Sequence, residues 1–181
     1  MKEKLLAFID TETSGRNFDL HELLSLGTVL VQEKMEGKNI SYIELGSFEW
    51  KVQPEHIHTA EPESLRINHY DPSLWQDAKL LREVLVEFLE KVHGATLVGQ
   101  NIPFDLGFIE HALHQENLEP TYHYHSLDTV SLATALLRNE TSLTTFSLRE
   151  LTQHFGITHT DSHTALSDAR ATFEVYKKLF S

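Results

Sequence analysis

Three apolar stretches, residues 5–10, 23–31 and 40–52, follow one another with connections too short to house a crossover helix. Strands joined in this way pair antiparallel with their neighbours, so the first part of the chain is confined to a three-strand meander. In the third stretch the inward phase passes from Ile43 and Leu45 to Phe48, Trp50 and Val52, which predicts a bulge near Gly46. Residues 53–72 carry Pro54, Pro62 and Pro72 and read as a loop with room for one short helix. Leu74, Ala78, Leu81, Leu85, Phe88 and Val92 then form a helical stripe, opened by Ser73 with Gln76 as a capping box and ended near Gly94. Strand 96–99, helix 103–115, strand 122–127 and helix 129–138 follow, an alternation that implies parallel strands. Ser147 and Glu150 repeat the capping-box spacing before a short helix that stops at Gly156. The expectation is an α/β fold, a mixed sheet of about five strands flanked by helices, in a single domain spanning 1–181.

Three contexts in this frame carry chemistry. On the first strand, residues two apart share a face, so Asp10 and Glu12 present their carboxylates together while Thr11 turns away. Two like charges side by side suit a hard divalent cation such as Mg²⁺, which prefers oxygen ligands. A solvated strand end accounts for Asp-x-Glu equally well when the pair stands alone. In the second context, Asn101 is placed to cap a helix with Pro103 in its first turn, which sets Asp105 near the helix start. The helix dipole alone explains an acid there as readily as a metal does. In the third, Leu166, Ala169, Phe173, Tyr176 and Phe180 mark a last helix with Asp168 in its first turns and His163 in the lead-in. The chain has 12 histidines, so one histidine five residues before an aspartate carries little information alone.

Together, Asp10-Thr-Glu12-Thr-Ser-Gly, Asn101-Ile-Pro-Phe-Asp105 and His163-Thr-Ala-Leu-Ser-Asp168-Ala resemble the three motifs of the DEDDh 3′→5′ exonucleases, in the family's order. Leu127-Asp128-Thr129 and the stretch 147–157 are similar to the family as well, so the resemblance spans nearly the whole chain. It implies a ribonuclease H-like fold and two divalent ions, Mg²⁺ or Mn²⁺. It also implies ion ligation by Asp10, Glu12 and Asp168, with Asp10 bridging, Asp105 acting through water and His163 as the base. The reaction implied is hydrolysis of the terminal phosphodiester at a single-stranded DNA or RNA 3′ end. Thr13, Ser14 and Gly15 are candidates to set backbone amides against the terminal nucleotide. Asn101 is a further substrate-side candidate, and Phe104 is a candidate to stack near a base, with core packing as its other reading. This chain has Gln100 where many relatives have histidine, Thr164 where an arginine often follows the motif histidine, and Leu24-Ser25-Leu26 where many have a glutamate. These departures bear on substrate preference.

Net charge is −12, from 15 Lys and Arg against 27 Asp and Glu. Nucleic-acid binding normally rests on a basic surface. An acidic chain instead fits an enzyme that grips a strand terminus and takes positive charge from bound cations. The lack of cysteine excludes disulfides and thiolate zinc sites and is compatible with a cytoplasmic location. No stretch approaches the length of a membrane span, and no signal peptide precedes the first strand. The pairs His56 with His58 and His123 with His125 lack carboxylate or cysteine companions and read as surface histidines. The sequence ends just after its last helix, with no evident tether to a polymerase, which favours a free-standing enzyme; homodimers are common among compact relatives.

Overall fold

The computed structural model describes residues 2–37, 39–159 and 164–181. Five strands form one sheet in the order β3-β2-β1-β4-β5, with β1 Lys2–Thr13, β2 Leu23–Glu36, β3 Asn39–Lys51, β4 Thr96–Gly99 and β5 Ser126–Asp128. The meander β1-β2-β3 is antiparallel, and β4 and β5 add in parallel on the other side of β1. The bulge falls where expected: Leu30 pairs with Gly46 and Val31 with Glu44, so Leu45 is the extra residue.

Alternation along β1 sends its residues to two different cores. Ala7 and Ile9 pack with α2 (Leu81–Lys91) and α3 (Pro103–Gln115) on one face. Leu6 and Phe8 pack on the other against Ala169, Phe173 and Tyr176 of α6 (Ala165–Leu179). Both faces of β1 are therefore covered, as a strand between helical layers requires. Smaller helices complete the chain: α1 Pro62–Ile67, α4 Thr129–Leu136 and α5 Leu148–Phe155. Among the described residues no helix is long and apolar enough to cross a membrane.

Several boundaries differ from expectation, each for a local reason. β1 and β2 extend beyond their apolar runs, and Lys34 pairs with Glu3 on the added polar length. The helix expected from Leu74 begins only at Leu81. Asp71, rather than Ser73, caps a short 3₁₀ turn at Pro72–Trp75. The backbone at Lys79 is then held extended by bonds from Gln53 N–H to Lys79 O and from Lys79 N–H to Lys51 O. Glu83, not Gln76, accepts the N–H that opens α2, from Leu80. Asn101 does not cap α3 through its side chain. It sits at φ 61 as the hinge between β4 and α3, with its N–H donated to Asp128 Oδ1 at 2.8 Å. β5 is shorter than predicted because residues 122–125 run as loop. Ser147 does cap α5, accepting from Glu150 N–H, and Gly156 ends it at φ 63.

Candidate active site

Asp10, Glu12 and Asp168 come together with one carboxylate oxygen each, all within 4.8 Å of one another. Among the described residues they are the only group of three or more potential ligands so arranged. The strand supplies the first two: β1 continues to Thr13, so Asp10 and Glu12 lie inside it and share the α6 face. The third comes from the first turn of α6, which must approach the sheet closely. Gly27 makes that approach possible. It pairs with Asp10 across β1 and β2, and a Cβ placed there would lie 2.2 Å from the Ala165 carbonyl carbon. The missing side chain is filled by the helix start itself, where Leu166 N–H donates to Glu49 Oε1 from β3.

Asp105 stands apart from the trio. It is buried in the first turn of α3, on the face of β1 opposite Asp10 and Glu12. Its Oδ1 accepts two hydrogen bonds from Thr11, one from the N–H at 2.9 Å and one from the hydroxyl at 2.7 Å. His163 lies outside the described residues. A different histidine, His159, has Nε2 2.7 Å from Asp168 Oδ1, with both side chains largely buried. Nothing in the local pattern around His159 signals that contact, because it depends on how the loop after α5 folds back.

Burial and mutual repulsion dominate the electrostatics of these carboxyls. Burial, followed by the charges of Asp105, Asp168 and Glu12, drives the Asp10 carboxyl well above the usual carboxylate range. Glu12 is pushed up to about 8 by burial, then by Asp168, Asp105 and Glu49. Burial raises Asp105 to about 7 against the opposing pull of its Thr11 hydrogen bonds. Without a counterion the carboxyls cannot all be ionised at neutral pH, and a divalent cation removes that penalty. The donor set is all carboxylate oxygen, which suits Mg²⁺ or Mn²⁺ rather than a soft metal.

The substrate-side candidates divide. Thr13 and Ser14 are buried and used within the loop: Thr13 Oγ1 donates to Gly15 O, and Ser14 N–H donates to Glu22 O at 2.8 Å. The Ser14 amide is thus committed to Glu22 O inside the protein. Gly15 is needed for space, since a Cβ would lie 2.3 Å from the His21 ring. Phe104 is half-buried against the α3 core, its ring 5.2 Å from Phe108, so packing is its evident role. Asn101 is exposed at the turn between β4 and α3. A cleft lined by Arg149, Thr152, Gln153, His159 and Asp168 lies along α5 and reaches one member of the trio, Asp168, with Arg149 as a cation on its wall.

Residues 7–176 match the family described as Exonuclease, of the RNase T type. The chain belongs to the DEDDh 3′→5′ exonuclease family. This exonuclease domain is 32% identical over 173 residues to a PolC-type DNA polymerase III of Caldanaerobacter subterraneus, covering 94% of this chain and 11% of that protein. It is 26% identical to the DNA polymerase III subunit epsilon of Buchnera aphidicola, covering 93% of this chain and 67% of the relative. The exonuclease domain thus spans about a tenth of the PolC-type relative and two thirds of the epsilon subunit. In fold it is similar to E. coli exonuclease I, with a TM-score of 0.77 at 18% identity over 97% of this chain and 41% of the other. Exonuclease I of Methylocaldum szegediense superposes with a TM-score of 0.73 at 21% identity, over 98% of this chain and 42% of the other.

Proposed function

We propose that this domain removes nucleotides stepwise from the 3′ end of single-stranded nucleic acid by metal-assisted hydrolysis, releasing nucleoside 5′-monophosphates. The observation that carries the reading is the convergence of Asp10, Glu12 and Asp168 within 4.8 Å, from the first strand and the last helix. Two divalent ions, when bound, supply Lewis-acid stabilisation of the departing 3′ oxygen and activation of the attacking water. The chain's own residues do the rest. Asp10, Glu12 and Asp168 would hold the cations, and Asp105 acts from behind β1 at longer range. His163, from the third motif, takes the proton of the water, a task suited to a group that titrates near neutrality. Arg149 on the cleft wall is a contact for the substrate's phosphate chain, useful on a surface whose net charge is −12.

DNA is the favoured polymer, because the relatives are named as DNA polymerase III components and E. coli exonuclease I has been solved with a dT13 oligonucleotide. Those same names support a second reading in which the domain proofreads for a polymerase. The test is a time course on 5′-labelled single-stranded DNA and RNA of matched sequence with Mg²⁺, Mn²⁺ or EDTA. A metal-dependent ladder shortening from the 3′ end, lost in Asp10→Ala, is expected. Intact oligomers under every condition, with folded protein, would overturn free-standing activity, and restoration by added polymerase would favour proofreading.

A further inference from the structure

Thr11 lies between two metal-site carboxylates, yet its side chain turns to the other face of β1. There it meets Asp105, a partner 94 positions away in sequence. Its N–H and its hydroxyl both donate to the same oxygen, at 2.9 and 2.7 Å. Thr11 and Asp105 are both buried, so water does not compete for these bonds. Two donors converging on one oxygen fix the plane of a carboxylate as well as its position. The second oxygen of Asp105 takes no part in that clamp. Asp105 is also within electrostatic reach of the site, because its charge acts on both Asp10 and Glu12.

We infer that Thr11 is a positioning residue for the nuclease reaction: its hydroxyl, with its N–H, clamps Asp105 at a set place behind Asp10 and Glu12, so that its charge acts in one fixed arrangement on the carboxylates that would hold the divalent ions. This inference rests on the metal-assisted reading above. The backbone N–H alone would hold Asp105 Oδ1 while leaving the carboxylate free to rotate about that single bond. The hydroxyl removes the rotation. β-Branching contributes too, since threonine restricts χ1 and keeps the hydroxyl aimed without further packing. Valine at this position would keep shape, β-branching and N–H and lose only the hydroxyl. Serine would keep the hydroxyl and lose only a methyl group.

The test compares wild type, Thr11→Val, Thr11→Ser, Asp105→Asn and the double variant Thr11→Val with Asp105→Asn. Two independent quantities are read: Mn²⁺ binding by calorimetry, and kcat and KM on a 5′-labelled single-stranded DNA. Loss of a group that orients a metal-site residue costs on the order of 10- to 100-fold in metal affinity or activity. Thr11→Val should therefore lower kcat by about 10-fold or more and weaken Mn²⁺ binding, with KM changed less than about 3-fold. Thr11→Ser should recover most of both. In the Asp105→Asn background, Thr11→Val should have no further effect on either readout, the signature of one coupled unit. Wild-type kcat and Mn²⁺ binding in Thr11→Val would overturn the inference, as would equal losses in the valine and serine variants. Should Thr11→Val fail to fold, the serine variant decides, because loss of Mn²⁺ binding with the hydroxyl present contradicts the clamp and its retention supports it. Weakened Mn²⁺ binding in Thr11→Val, with a wild type that leaves every oligomer intact, would support the clamp while sinking the exonuclease reading.

Discussion

Gly27→Ala tests the reasoning about the site most directly, because it adds one methyl group and removes nothing. The new Cβ would lie 2.2 Å from the Ala165 carbonyl carbon and 2.3 Å from both Ala165 O and Leu166 N. All three are backbone atoms, so no side-chain rotation relieves the contact. Ordinary contact begins near 3.4 Å, which requires the start of α6 to move by about 1.2 Å relative to β2. Gly27 pairs with Asp10, so that displacement opens the gap between Asp168 and the two acids of β1. Overpacking of this kind costs about 1–3 kcal/mol, which lowers the melting temperature by roughly 2–4 °C per kcal/mol for a domain of this size. A misplacement of about 1 Å at a reacting centre costs on the order of 100-fold in rate. Gly94→Ala is the control. Gly94 has φ 70 with nothing within 4 Å of an added Cβ, and it lies before β4 at the other end of the sheet. Its strain costs about 1–2 kcal/mol, and kcat should be unchanged. Differential scanning calorimetry and single-turnover cleavage provide both readouts. If Gly27→Ala keeps kcat within a factor of three of the Gly94→Ala control, Gly27 does not set the position of Asp168.

Three further outcomes follow from the same structure. Asp10→Asn should abolish turnover yet raise the melting temperature of the EDTA-treated protein at pH 8, since it removes a buried like charge; a lower melting temperature would contradict the charge-repulsion account. The metal-free protein should lose stability as pH rises from about 4.5 to about 8. Glu12 near 8 and Asp105 near 7 in the fold bind protons that the unfolded chain has already released, and saturating Mn²⁺ should suppress that loss in thermal melts. Tyr176→Phe removes the 3.1 Å bond to the buried carboxylate of Glu33 and should cost about 1–3 kcal/mol in urea unfolding with kcat unaltered.

What was legible in the sequence is what local periodicity encodes. Alternation put Asp10 and Glu12 on one face and sent Thr11 to the other, helical spacing put Asp168 in the first turn of α6, and Pro103 marked the start of α3. The phase slip in the third strand revealed its bulge. What was hidden depends on partners far away in the chain. Thr11 turning away says nothing about Asp105 waiting on the opposite face. The glycine at position 27 reads as an ordinary strand residue until the Ala165 backbone is seen against it. The false start of α2 has the same origin: Leu74 and Ala78 continue the stripe perfectly well, but the bonds from Lys79 N–H to Lys51 O and from Gln53 N–H to Lys79 O outweigh one more turn of helix. The bond from Ser14 N–H to Glu22 O was hidden for a similar reason, because it comes from a turn with no periodic signal.

The trio draws on opposite parts of the chain, with Glu12 on the first strand and Asp168 on the last helix. During synthesis the strand pair β1 and β2 can form early, while the third carboxylate is still to be made. A ribosome-bound chain that has reached α5 therefore holds two acids of the three and cannot close the cation site. Docking of α6 against β1 and β2 is therefore the step that completes the trio. Chains truncated before residue 164 should show no metal-dependent cleavage, and chains that extend through α6 should regain it.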